Sequence, residues 1–252
     1  MPVKHRGTAQ PHKRVPSHRN LRLLVIVFLV STLGIVGCEP AGPVALEEPG
    51  PFGGPALLRR LTESQYRETI ADIFGPDAPI LARFERGLRS HGLVAVGTST
   101  AGISTFSIEQ YDNAAVGVAE FILSDEQRGS YVPCTPLPAD TASMDNACAV
   151  TFVRHYGLQL LRRPLTDDQV ARYVSAVEDG TAYLGSFYKG LKFALVGMMT
   201  SPQFLLRLER SEPDPEHAEL RRLDPYSMAT RLSYFLTNSS PDQALLAAAA
   251  SG

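Results

Sequence analysis

From about residue 57 onward, apolar residues in this chain recur at intervals of three and four rather than two, the period of a helix surface and not of a strand. A first helix is predicted over Glu63–Phe74, with Tyr66, Ile70, Ile73 and Phe74 on one face and a stop at Gly75-Pro76. After a Gly/Ser/Thr-rich loop at 86–106, a second runs from Ile108 to Leu123 and presents Ile108, Tyr111, Ala115, Val118 and Ile122. A third is expected over Ala149–Leu161. A fourth, over Asp167–Asp179, buries Val170, Tyr173, Val174 and Val177 and ends at Gly180. The fifth spans Ser186–Thr200 with Phe187, Leu191, Leu195 and Met198 inward, and stops before Pro202. The segment "FLLRLE" (204–209) is apolar but short, so helix and strand both stay open for it. Asp224-Pro225 starts a sixth helix reaching Leu236, with Leu223 and Met228 placed for a hydrophobic staple, and Pro241 opens a seventh. Thr62 with Gln65, Ser107 with Gln110, Thr166 with Gln169 and Ser240 with Gln243 fit the capping-box spacing, in which hydroxyl and amide satisfy two orphan backbone donors. The fold class is all-α, an irregular bundle of six to seven helices.

The most apolar run, "LRLLVIVFLVSTLGIVGCEP" (21–40), has a different character. Its uncharged core, Leu23–Val36, is 14 residues long, whereas a helix needs about 20 to cross a bilayer. Six Lys/Arg and no acid precede Cys38. Basic, then apolar, then small is the order of a secretory signal. Ile35-Val36-Gly37-Cys38 resembles the bacterial lipobox, which implies diacylglyceryl transfer to the Cys38 thiol and cleavage before it. Acyl chains buried at about 0.8 kcal/mol per methylene would then hold a soluble body to the membrane. Glu39, rather than Asp, follows the cysteine, so outer membrane or cell surface is the expected address. Residues 39–55 hold five Pro and four Gly, a composition suited to a tether and not to a core.

Composition alters the picture in two respects. The formal charge of −2 hides an asymmetry, because the 215 residues after the signal carry 18 bases against 26 acids. A body with a net −8 has no general attraction for phosphate backbones, so no nucleic-acid partner is expected. Cys134 and Cys148 form an even pair in an exported chain, which most simply makes a disulfide. No Cys-x-x-Cys-His is present, and His91, His155 and His217 stand apart without acids or thiols at ligand spacing, so neither haem, metal nor other cofactor is expected in this chain. His-Glu-x-x-His, Gly-x-Ser-x-Gly and phosphate-loop patterns are absent, and no catalytic residue is assigned.

Several of the helical segments together resemble a known set of modules. "LLRRLTESQYRETIADIFG" (57–75) is similar to the opening of one, "FVRHYGLQLLRRPLTDDQVARYVSAVEDG" (152–180) with "YKGLKFALVGMMTSPQFLLRLE" (188–209) to a second, and "RLDPYSMATRLSYFLTNSSPDQALLAAAASG" (222–252) to the start of a third. They belong to PSD-type secreted multi-module proteins of unknown function from planctomycetes and myxobacteria, some fused to c-type cytochrome domains. Thr237 stands where members usually carry tryptophan, and members extend past the third module's start, so the resemblance implies either a fragment or a truncated gene, whose last helices would then be short of partners. The expected organisation is a lipoprotein signal at 1–37, a tether at 38–55, helical modules at 56–130 and 131–212, and a truncated third at 213–252.

One polar cluster is a candidate site for an anion: Arg162 and Arg163, with Asp224 and Arg231. The plainer reading gives both adjacent arginines to a helix C-terminus, with Pro164 breaking the chain and Thr166 capping the next helix, and gives Asp224 and Arg231 to ion pairs between helices. The functional expectation is an interaction or scaffold module of a periplasmic or cell-surface assembly. The alternative is part of a redox-linked enzyme completed by further C-terminal modules or by a haem partner.

Overall fold

The chain's contacts divide it between Gly54 and Pro55; the structure, a computed structural model, describes residues 58–87, 89, 91–92, 94, 102–136, 142–217 and 219–252, all in the second unit. The expected signal, tether and Cys38 therefore lie outside the described residues.

Helices dominate the described residues: α1 (Glu63–Phe74), α2 (Thr105–Ile122), α3 (Arg128–Tyr131), α4 (Asn146–Leu161), α5 (Asp167–Leu184), α6 (Phe187–Met199), α7 (Pro202–Leu205), α8 (Pro225–Leu236) and α9 (Gln243–Ser251). Strands β1 (Arg59–Arg60) and β2 (Leu206–Arg207) pair antiparallel, as do β3 (Ser211–Pro213) and β4 (Arg221–Leu223). The all-α class read from periodicity is the observed one.

Two of the four predicted capping boxes form. Thr62 Oγ1 accepts from Gln65 N while Gln65 Oε1 accepts from Thr62 N, both at 3.1 Å, and Thr166 with Gln169 does the same. The other two are corrected. Helix α2 starts earlier than predicted, because Ser104 caps it by accepting from Ser107 N, and Gln110 instead accepts from Arg83 N at 2.8 Å. Helix α9 is capped by Asp242, which accepts from Leu245 N at 2.8 Å. An ionised carboxylate adjacent to the first turn is a stronger acceptor than a hydroxyl two residues further away, and Ser240 turns inward to Tyr234 Oη.

Gly180 does not end α5, which continues to Leu184 and stops at Gly185 in the left-handed region (φ 62°). The glycine serves packing instead. A Cβ on Gly180 would lie 2.6 Å from Phe193 Cδ2, and one on Gly190 would lie 2.6 Å from Val177 O. The absence of both side chains lets α5 and α6 approach closely, and this hairpin is the most extensive helix pair.

Helix α6 sits at the centre, buries Phe187, Leu191, Leu195 and Met198 as predicted, and packs on α2, α4 and α5. Ile108 of α2, expected inside, is exposed; Ala114 and Ala119 take buried places where small side chains admit the neighbouring helices. Helix α1 reaches the core through rings: Phe74 stacks on Tyr156 at 5.2 Å, and Tyr66 meets Tyr111 at 5.4 Å and Phe204 at 5.6 Å. One hydrophobic cluster runs from Leu61 to Tyr234.

The open segment 204–209 becomes both elements: Phe204 and Leu205 close α7, and Leu206 and Arg207 form β2 opposite Arg60 and Arg59. The β3–β4 hairpin and the short α3 carry too few residues for a period to announce them. Asp214 Oδ1 organises the hairpin loop by accepting from Glu216 N and His217 N. The Cys134–Cys148 disulfide is formed, with Cα atoms 5.5 Å apart, and ties the segment after α3 to the first turn of α4.

Candidate functional site

The structure separates the four residues of the predicted polar cluster into three arrangements. Arg162 is the C-cap of α4 in the left-handed region (φ 58°), where the chain turns inward and carries its side chain to 3% exposure. Its guanidinium donates to four backbone carbonyls: Nη1 to Leu160 O at 3.2 Å, Nη2 to Gln203 O at 2.6 Å and to Leu206 O at 3.2 Å, and both to Phe204 O. These are the orphan acceptors at the ends of α4 and α7, so the group acts as a cap for two helices at once.

Arg163 points elsewhere and meets Asp224 in a fork, Nη1 to Oδ2 at 3.0 Å and Nη2 to Oδ1 at 3.3 Å. Asp224 also caps α8 by accepting from Ser227 N at 2.7 Å. Burial by itself would raise the Asp224 carboxyl, but hydrogen bonds from Arg163 and Ser227 outweigh it and hold the group below the usual carboxylate range. Arg231 pairs with Glu209, Nε to Oε1 at 3.0 Å.

A large concavity lined by described residues lies where sequence reasoning assigned nothing. A cleft of about 730 Å³ opens at the N-terminal end of α1, within the roughly 300–1,000 Å³ usual for small-molecule sites. Arg60, 6% exposed, lines it from β1. Arg60 Nη1 donates to Gly102 O at 3.1 Å, whereas its buried Nε–H has no hydrogen-bond partner. The nearest carboxylate oxygen, on Glu85, stands 3.8 Å from Nη1. Glu85 accepts from the Ser104 hydroxyl, and this bond, with one from Ser107, holds its carboxyl below the usual range. Phe84 and Tyr111 form an apolar wall, their rings 5.5 Å apart. "LLRRL" has no alternation of apolar and polar residues, and β1 is two residues long, so no sequence signal marks Arg60.

A second unassigned feature is α8. At 100° per residue, Met228, Leu232, Phe235 and Leu236 share one stripe, and all four are exposed, Phe235 to 83%. The inward face is Ser227, Ala229, Thr230, Ser233 and Tyr234. This helix is amphipathic in the reverse of the ordinary sense. Beside the stripe an apolar hollow of about 300 Å³ lies between α8 and α9, lined by Leu223, Met228, Leu232 and Leu245 among others.

The three histidines are not brought together. His155 packs edge-on against Tyr156 at 4.8 Å, and partial burial pushes its imidazole down. His217 lies in the β3–β4 loop, and His91 has φ 50° in the loop before α2. Among the described residues no group of three or more His, Cys, Asp or Glu could hold a metal ion, and no helix is long and apolar enough to cross a membrane.

Comparison with known families finds three matches, each described as a protein of unknown function. The chain is similar to PSD3 (DUF1587) over residues 59–123, to PSD5 (DUF1595) over 148–209 and to PSD4 (DUF1592) over 223–252. Each span overlaps a segment whose resemblance the sequence suggested, and the first extends well beyond the quoted 57–75. No curated protein and no solved structure matches the chain.

Proposed function

We propose that this protein is an exported bacterial lipoprotein, held to the outer membrane or cell surface by lipid on Cys38, whose helical body is an interaction module of an envelope assembly. The anchoring half rests on the order of basic, apolar and small residues that ends at Cys38. The observation that carries the interaction half is the inverted α8: large apolar side chains outward, small and hydroxyl side chains inward. Such a stripe is costly in water and is the ordinary mark of a surface covered by another protein. The partner class that fits is a protein with its own apolar patch; a c-type cytochrome is the partner that the PSD-type resemblance suggests.

Capture from envelope extracts with the tagged full chain, with haem staining of the eluate, tests the interaction half. A band retained by the wild type and lost with Phe235→Glu is expected, and it stains for haem if the partner is a cytochrome. An identical set of bands from wild type and variant would defeat this reading. The anchoring half has its own test: the reduced, unfolded mature protein should titrate two thiols rather than the three in the sequence, and Cys38→Ser should leave the membrane fraction. Three titratable thiols, or a Cys38→Ser chain that stays membrane-bound, would count against a lipid on Cys38.

A further inference from the structure

The cleft at the start of α1 has a chemical character of its own, independent of the α8 surface. Three guanidiniums line it, Arg60 in the floor and Arg86 and Arg89 at the rim, against the carboxylates of Glu63 and Glu85. Glu63 pairs with Arg67 Nε at 2.9 Å, and Glu85 accepts from Ser104 and stands in a long ion pair 3.8 Å from Arg60 Nη1, so the excess positive charge of the cleft comes from Arg86 and Arg89. The positive end of the α1 dipole adds to the same side, since Thr62, Glu63 and Ser64 line the cleft and the capping box takes Thr62 N and Gln65 N but neither Glu63 N nor Ser64 N.

The decisive group is Arg60. It is more than nine-tenths buried, and its Nε–H lacks any acceptor. A buried donor left unpaired is unfavourable and rare in native proteins, so an acceptor belongs there in the working state. The aromatic part of the lining is Phe84 and Tyr111, whose rings lie 5.5 Å apart.

We infer that this cleft is a binding site for a small organic anion, its carboxylate on Arg60 and the α1 N-terminus and its apolar body against Phe84 and Tyr111. Pairing with a charged planar acceptor satisfies a guanidinium better than water does, because the fork geometry matches two oxygens. The apolar body gains by leaving water, which favours an organic acid over a bare inorganic anion.

The test is titration of the isotopically labelled full chain in detergent with sodium benzoate, and separately with inorganic phosphate, at constant ionic strength, followed by amide chemical shifts. Benzoate should give saturable shifts at Glu63, Ser64, Phe84 and Glu85 with a dissociation constant on the order of 1 mM or tighter, and phosphate should bind at least about tenfold more weakly. Arg60→Gln should weaken benzoate about tenfold or more. Should that variant fail to fold, Arg86→Gln, on the exposed rim, should weaken it by a factor of about three. Shifts that do not saturate, or that scatter away from the cleft, would overturn the site. Equal affinity for phosphate, or unchanged benzoate affinity in Arg86→Gln together with Arg89→Gln, would overturn the organic-anion assignment.

Discussion

Replacing Arg162 by methionine sets two opposed effects against each other, and the structure decides between them. A buried cation without a carboxylate partner carries a desolvation penalty, and substituting an apolar side chain for such a group can be neutral or stabilising. Against this, the guanidinium serves the carbonyls of Leu160, Gln203, Phe204 and Leu206, with Gln203 O only 2.6 Å away. Methionine leaves those acceptors buried with no donor. Hydrogen bonds to charged groups contribute roughly 1.5–3 kcal/mol each, and allowing for shared geometry and non-additivity the four acceptors lose about 4 kcal/mol together. The conformational strain of a non-glycine residue at φ 58° is unchanged by the substitution and drops out. A loss of about 4 kcal/mol is a large share of the ~5–15 kcal/mol that holds a domain folded. Urea unfolding of the full chain in detergent, followed by far-ultraviolet circular dichroism, should show the midpoint falling by about 2 M at an m-value near 2 kcal/mol/M. Arg162→Lys keeps the charge but not the planar fork, and should fall between wild type and methionine. If Arg162→Met proved as stable as the wild type, the cost of desolvating the cation would fully offset its hydrogen bonds and the double cap would contribute nothing net.

The helix crossing predicts that Gly190→Ala, placing a Cβ 2.6 Å from Val177 O, costs about 1–3 kcal/mol by overpacking; thermal unfolding measures it, and an unchanged midpoint would contradict the close approach. Reduction of Cys134–Cys148, which releases a loop of 14-residue separation, should lower stability by up to about 3 kcal/mol, read by urea unfolding with and without reductant. For Asp224 the sign follows from a folded pKa held below the ordinary value: its contribution is complete above the unfolded carboxyl's pKa near 3.9 and is lost as pH falls through the folded value. Asp224→Asn, which still caps α8, should therefore cost about 2 kcal/mol at pH 7 and progressively less below about pH 4; an equal cost at pH 3 and pH 7 would refute the fork with Arg163.

Helix positions are legible wherever local chemistry decides them. Thr62 and Thr166 carry their capping partners three residues on, and Asp224-Pro225 marks a helix start without reference to any other part of the chain. Gly180 misleads because a mid-helix glycine and a terminal one look alike in sequence; only the nearness of Phe193 and Gly190 distinguishes them. The adjacent arginines mislead in another way, by resembling one cluster. Residue 162 takes a left-handed backbone, which sends neighbouring guanidiniums to different destinations, one to carbonyls and one to Asp224.

The cleft is invisible in the sequence for a related reason. Its lining comes from β1, the start of α1, the 84–89 segment, Tyr111 and Asn238, and no spacing rule links residues that far apart. What the sequence by itself determined was the fold class and most helix starts, since periodicity and caps act over short range; the Cys134–Cys148 pairing was its simplest reading of three cysteines, and the folded chain forms it. What only the tertiary structure decided was which polar groups are satisfied and which are not. Arg162 finds four acceptors, the Arg60 Nε–H finds none, and α8 turns its apolar face outward, because burial and hydrogen bonding are settled by neighbours that the chain brings together only on folding.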